Sequence, residues 1–373
     1  VSVMTPNIGA GRPGVAYQAR QLGLLFNAVA GVLMAVFLFS GAGAILRMVG
    51  IADALYEPAL IYLKIVGGGC ILNAVIPIFS SYLRAFGYTK QPLYATIVGN
   101  IANFVMNAVF LFVLHKGVAG VAAATVISKI LNLCIVLYFS HKLISAKNST
   151  ERIANKTVLG QIVKVGLPSA CETALYNVAM MLVIRFLNQM DAEGLNVTAR
   201  SYTATISNFS YCVGAALAQA NAIMTGWHIG AGELEECDRG TKRAAFVGVC
   251  VAVCMETAIV LGSGFIMPLF TDNPEMTALV RKLLAIDIVL EIGRVTNLVF
   301  GQALKTSGDA VFPAVIAAVF MFVFAVGGTW LFGISMGLMA VGAYIGLASD
   351  ECVRAVGMVW RWKTGKWRTK KLV

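Results

Sequence analysis

A chain of 373 residues that is 58% hydrophobic and only 13% charged, with a mean hydropathy of +0.79, falls outside the range of soluble domains, where about a quarter of residues carry charge. Its net charge of +11 and pI of about 9.3 sit on so few charges that the excess reads as basic loops beside anionic lipid, not as a nucleic-acid surface. Eight cysteines without CxxC spacing, and three scattered histidines (His115, His141 and His228), exclude a zinc or disulfide framework and leave no metal or cofactor to expect.

Ten apolar segments, near 22–46, 59–83, 93–114, 118–140, 158–187, 199–225, 244–270, 278–304, 310–334 and 338–360, are each long enough to cross a hydrocarbon layer of ~30 Å, which takes roughly 20 helical residues. They predict an all-α polytopic membrane protein with no soluble domain left over.

The opening run contains Gly9-Ala10-Gly11-Arg12-Pro13-Gly14, which matches the dinucleotide fingerprint literally. No buried strand precedes it and no βαβ unit follows, so it reads as a loop and a helix start. The same loop occurs twice: IGAG at Ile8–Gly11 returns at Ile229–Gly232, an offset of 221 (229 − 8). LRAFGYTKQP at Leu83–Pro92 aligns with LKTSGDAVFP at Leu304–Pro313 at the same offset (304 − 83), and near the end Gly117–Val121 matches Gly337–Val341 with a slip of one. A repeat in one orientation predicts two pseudo-symmetric lobes, parallel repeats about an axis along the membrane normal, with a binding site where they face each other. The boundaries expected are an N-terminal lobe at 1–141, a cytoplasmic linker at 142–157 and a six-helix C-terminal lobe with a basic tail at 158–373. Projecting the second copy onto the first leaves the first about two helices short, so ten transmembrane helices of twelve are expected, from an N-terminally truncated chain.

In the first lobe, GNIANFVMNAVF sets Asn100, Asn103 and Asn107 at i, i+3 and i+7. Amides in lipid must be paired, so this face is read either as interhelical hydrogen bonding or as a first-lobe cavity face. The linker carries one glycosylation-type tripeptide at Asn148, and a second lies at Asn196; both read as chance matches.

The second lobe opens on VGLPSACETALYN, where Pro168 weakens a helix and Glu172, Tyr176 and Asn177 share a face. The next helix offers Tyr202, Asn208, Tyr211 and Gln219 as candidate liners, and the third holds Glu256 alone in VCMETAIV. In LLAIDIVLEIGRVTNLV, Asp287, Glu291, Arg294 and Asn297 stack on one face at a 3.6-residue period, while Ile286, Val289, Leu290 and Val295 cover the others. Ionisable groups at a helix centre cost at least ~2.5 kcal/mol each in a bilayer, so this face turns to a cavity or to a closed ion-pair network between helices. Asp350 and Arg354, at i and i+4 on the last helix, read as a structural salt bridge.

Taken alternately, the loops hold Lys and Arg at 18 against 4, which places the linker and the C-terminus in the cytoplasm by the positive-inside rule.

The duplicated IGAG loop, LRAFGYTKQP, GLPSACETALYN, SYTATISNFSY, IDIVLEIGRVTNLV and DECVRAVGMVWRWKTGKW together resemble the multidrug and toxic compound extrusion family, in a bacterial, Firmicutes-type form. The resemblance runs over essentially the whole chain. It implies a monomeric twelve-helix efflux transporter of the plasma membrane that exports amphipathic, cationic small molecules in exchange for H⁺ or Na⁺, with alternating access between its lobes. Glu172 and the Asp287/Glu291 helix match the family's acidic second-lobe positions. Many members also carry a carboxylate on a first helix that this sequence does not show. A lipid-linked oligosaccharide flippase shares the two-lobe design, but would be expected to line its cavity with Arg and Lys. An enzyme would need a clustered nucleophile, base or metal set, and none is visible.

Overall fold

The computed structural model describes residues 1–49, 53–144, 151–191 and 193–370. Among them the regular structure is helical throughout. A short α1 (Met4–Gly9) leads into α2 (Pro13–Val49), α3 (Asp53–Gly68), α4 (Cys70–Ala85) and α5 (Lys90–Ala108), which runs on as a π-helical turn at Val109–Val113. Then come α6 (Gly117–Leu143), α7 (Asn155–Met190), α8 (Leu195–Ala231), α9 (Leu234–Ile266), α10 (Pro274–Thr306) and α11 (Val311–Phe320). α11 continues through π-helical stretches at Met321–Val326 and Thr329–Ser335, and α12 (Met339–Lys363) ends in a 3₁₀ turn at Lys366–Thr369. Each of the ten apolar segments falls on one of these rods, α3 and α4 making a single rod interrupted at Gly69.

The helix bounds repeat as the sequence does. Pro13 and Leu234, which open α2 and α9, lie 221 apart (234 − 13), as do Asp53 and Pro274 (274 − 53) and Lys90 and Val311 (311 − 90). The turn glycines obey the same spacing: Gly11 and Gly232 both have positive φ (72° and 79°), as do Gly87 and Gly308 (85° and 95°). A left-handed residue is what ends one helix and redirects the chain into the next, and only glycine adopts it without steric cost. Asn273 starts α10 differently, its side chain accepting from the Glu275 and Met276 amides ahead of Pro274.

The chain divides into two compact units, residues 3–162 and 163–373. In the first, α2 packs on α3 and α4, and α5 on α6. Its buried contacts concentrate at one end, around Val15, Ala16, Ala19, Phe79, Tyr82 and Leu83. The remainder of α2 presents Leu25, Phe26, Leu33, Val36 and Phe37 outward, as a lipid-facing helix does. In the second unit α10 is central, packed against α8, α9 and α12.

Seven helices are long and apolar enough to cross a membrane by length and composition. α8, α10 and α12 are of spanning length but more polar. Those three supply three of the four walls of the site, and α7 the fourth.

Of the two glycosylation-type tripeptides, the one at Asn148 lies outside the described residues. Asn196 is buried, its amide donating to Asp191 and its oxygen accepting from the Ala340 amide at 3.0 Å, which leaves no acceptor nitrogen to modify. Asp191 in turn accepts from the Asn196 backbone at 2.9 Å. Burial works against its charge, but these bonds and the Gly194 and Leu195 amides hold its carboxyl below the ordinary aspartate value.

Candidate functional site

Within residues 163–373 four helices line a half-open cavity of about 570 Å³. Each contributes a stripe at helical spacing: Glu172, Thr173, Tyr176, Asn177 and Met180 from α7; Arg200, Ala204, Ser207, Asn208 and Tyr211 from α8; Asp287, Leu290, Arg294, Asn297 and Leu298 from α10; Tyr344, Leu347, Asp350, Glu351 and Arg354 from α12. Met321 closes one corner.

The charges are organised around two guanidinium groups. Arg294 donates to Glu291 one turn back on its own helix, and its Nε lies 3.7 Å from Glu351 Oε1. Arg354 grips Asp350 through two bonds of 2.7 and 3.1 Å and reaches Glu351 Oε1 at 2.8 Å. Asn297 completes the bridge between α10 and α12 by donating to Glu351 Oε2 at 3.0 Å. A third pair closes α7 onto α10, Lys305 Nζ lying 2.7 Å from Glu172 Oε2. Pairing is the form in which charge survives away from water, although Glu172 Oε2 and Glu291 Oε2 accept no hydrogen bond within this network.

Two carboxylates stand outside this network. Asp287 is only 3% exposed and has no ion-pair partner among the described residues, and its Oδ2 has no hydrogen-bond donor. Arg294 pairs with Glu291, one turn away, and leaves Asp287, two turns away, uncompensated. Glu256, on α9 behind the wall, is fully buried with neither oxygen partnered.

The structure therefore brings Glu172, Tyr176, Asn177, Asp287, Arg294 and Asn297 together on the cavity surface, with Glu291 buried directly behind them. Other sequence candidates go elsewhere. Tyr202 turns away, its hydroxyl 3.4 Å from the Phe270 carbonyl and its ring against Phe270, because it falls on the opposite side of α8 from Arg200, Ser207 and Asn208. Glu256 does not reach the cavity surface. In the first unit Asn107 donates to Asn103 at 3.1 Å and Asn103 to Ser128 on α6 at 3.3 Å, so these amides tie α5 to α6, while Asn100 is exposed.

Sequence reasoning missed Arg200, Tyr344 and Glu351, and left Asp350 and Arg354 as a structural pair. They do pair, and they line the cavity as well. The missed signal was the acidic couplet Asp350-Glu351 followed by Arg354: Arg354 Nη2 bridges both acids, at 2.7 and 2.8 Å, and Glu351, about 100° round the helix from Asp350, also reaches Arg294 and Asn297 on α10.

A helical membrane unit with a charged, half-open cavity among its helices is the form of a solute transporter. The family model MatE matches residues 1–109 and 168–331, and the chain belongs to that family of multidrug and toxic compound extrusion transporters. It is 30% identical to the uncharacterized transporter YisQ of Bacillus subtilis over 99% of this chain and 82% of the relative. It is 20% identical to the probable multidrug resistance protein NorM of Thermotoga maritima over 84% of this chain and 68% of the relative. The fold matches that of a Vibrio cholerae MATE transporter, VcmN, with a TM-score of 0.88 at 17% identity, covering 100% of this chain and 84% of that one.

Proposed function

We propose that this transporter exports amphipathic cationic small molecules by antiport with H⁺ or Na⁺, using the cavity of residues 163–373, as a monomer with its linker and C-terminus in the cytoplasm. The observation that carries the reading is a charge deficit. Six carboxylates face or back the cavity (Glu172, Glu256, Asp287, Glu291, Asp350 and Glu351) against four cations (Arg200, Arg294, Arg354 and Lys305). A low-dielectric cavity left negative attracts a cation, and a coupling ion and a cationic substrate then compete for the same charge. Rocking of the two lobes opens the site to one side of the membrane at a time.

The test is transport in proteoliposomes with a fluorescent monocationic dye, driven in separate arms by ΔpH or ΔNa⁺. The wild-type protein drives dye uptake in one arm, and Asp287→Asn, which keeps shape and removes charge, abolishes it while eluting as a monodisperse protein. Transport in neither arm, or wild-type transport by the Asp287→Asn protein, overturns the reading. Arg200 favours a second reading: no carboxylate pairs with it among the described residues, and its guanidinium lies 3.7 Å from Met180 Sδ, free to take an anionic headgroup. Movement of a fluorescent lipid-linked pyrophosphate in the same vesicles, with no dye transport, would select the flippase.

A further inference from the structure

Glu256 lies in mid-helix on α9, which packs against α8 and α10. Its carboxylate is wholly buried and both oxygens lack a hydrogen-bond partner. The groups facing it are Asp287, Glu291 and Arg294 from α10 and the Ser210 hydroxyl from α8; Asp287 in turn meets Arg294, Ser207 from α8 and Tyr344 from α12. Arg294 is taken up by Glu291 and Glu351. The six carboxylates exceed the four cations by two, and the two without an ion pair are Asp287 and Glu256. A buried, uncompensated carboxylate costs several kcal/mol and is neutralised by taking up a proton. The cavity is therefore neutral when both acids are protonated. It is neutral again when both are ionised and a ligand with two positive charges replaces the two protons.

We propose that Glu256 is a second, inner proton site that fits this transporter for dicationic substrates: Asp287 and Glu256 together release two protons when a dication binds, and Asp287 alone releases one when a monocation binds. The inference rests on the antiport reading with H⁺ as the coupling ion. Asp287 borders the cavity and Glu256 does not, so the inner proton leaves by way of the Asp287 carboxylate into cavity water, both groups ending as carboxylates. Nothing is oxidised or reduced.

The experiment measures protons released on binding, with a pH-indicator dye in weakly buffered, Na⁺-free detergent solution, using methyl viologen as dication and tetraphenylphosphonium as monocation. Wild-type protein releases about twofold more protons with the dication than with the monocation, and Glu256→Gln releases equal amounts with both. Dication affinity of Glu256→Gln falls roughly tenfold or more while monocation affinity stays within about twofold, since only the second charge loses its partner. Equal release for the two ligands by the wild-type protein, or an unchanged dication-to-monocation affinity ratio in Glu256→Gln, overturns the proposal. Should Glu256→Gln fail to fold, the wild-type comparison decides alone. Failure of the antiport reading looks different: there the wild-type protein releases no protons with either ligand.

Discussion

Asp309 shows how far a single carboxylate can organise one end of the second unit. It sits in the turn between α10 and α11, 1% exposed, with Arg361 Nε 2.6 Å from one oxygen and Lys370 Nζ 2.9 Å from the other. Burial alone would raise its proton affinity, but those two partners outweigh it and hold the carboxyl below the ordinary value of 3.8. A group depressed in the folded state stabilises fully above its unfolded value, and that contribution disappears as pH falls through the folded one. Asp309→Asn therefore lowers stability by about 2 kcal/mol at pH 7, the worth of charge-assisted hydrogen bonds. In thermal unfolding in detergent, the gap between wild type and variant stays constant from neutral pH down to about 5 and closes only below about 4. A gap that closes near pH 6 would assign the effect to another group. None of this was legible in sequence, because Arg361 and Lys370 lie 52 and 61 residues away. The Asp287, Arg294 and Asn297 face was legible because a helix states its own period. The partners across the cavity were not: Glu351 meets Asn297 at a separation of 54 residues, which only packing brings about.

Elements meet here through small residues, and the closest approach bears on the site. A Cβ added at Gly293 would lie 2.7 Å from the Cys352 amide nitrogen and 2.8 Å from the Glu351 carbonyl carbon, so α10 and α12 touch backbone to backbone. One residue from that contact, Arg294 reaches Glu351, and one turn further on Asn297 donates to it. Gly342 and Gly346 repeat the arrangement on another face of α12, against the π-helical stretch that ends α11. Gly293→Ala should push the two helices apart, costing ~1–3 kcal/mol as overpacking does, and should weaken dye binding together with stability. Gly240→Ala, at an open helical position, serves as the control: it leaves dye binding unchanged and raises stability by about 0.5–1 kcal/mol, as alanine does over glycine in a helix. Unaltered dye affinity in a destabilised Gly293→Ala protein would uncouple the α10–α12 contact from the cavity. The ten rods were legible because apolar length is a strong signal, and the repeat because its loops keep their glycines. The three helices too polar to pass as spans are where hydropathy weakens, and function accounts for the weakness: charges facing a cavity lower the average of the helix that carries them.

At the scale of the whole molecule, the repeat preserves helix bounds and discards chemistry. At the offset of 221, Asp287, Glu291 and Arg294 correspond to Val66, Cys70 and Asn73, so the first unit has no charge where α10 carries three. Among the described residues every ion pair lies in 163–373. The polar contacts within the membrane part of the first unit are amide and hydroxyl bonds such as Asn107 to Asn103 to Ser128, which fasten α5 to α6. The two copies share bounds but not charges, and the proposed transport reading accordingly puts substrate and coupling ion in residues 163–373. Asn103→Leu tests this division. Interhelical bonds of this kind average ~0.6 kcal/mol in membranes, so the variant should lose a small amount of thermal stability. Its dye affinity and the proton release on binding should match wild type, because neither Asn103 nor Asn107 contributes to the charge deficit on which binding depends. A several-fold loss of dye affinity in Asn103→Leu, with melting unchanged, would place a second binding surface in the first unit and end the assignment of substrate and ions to residues 163–373 alone.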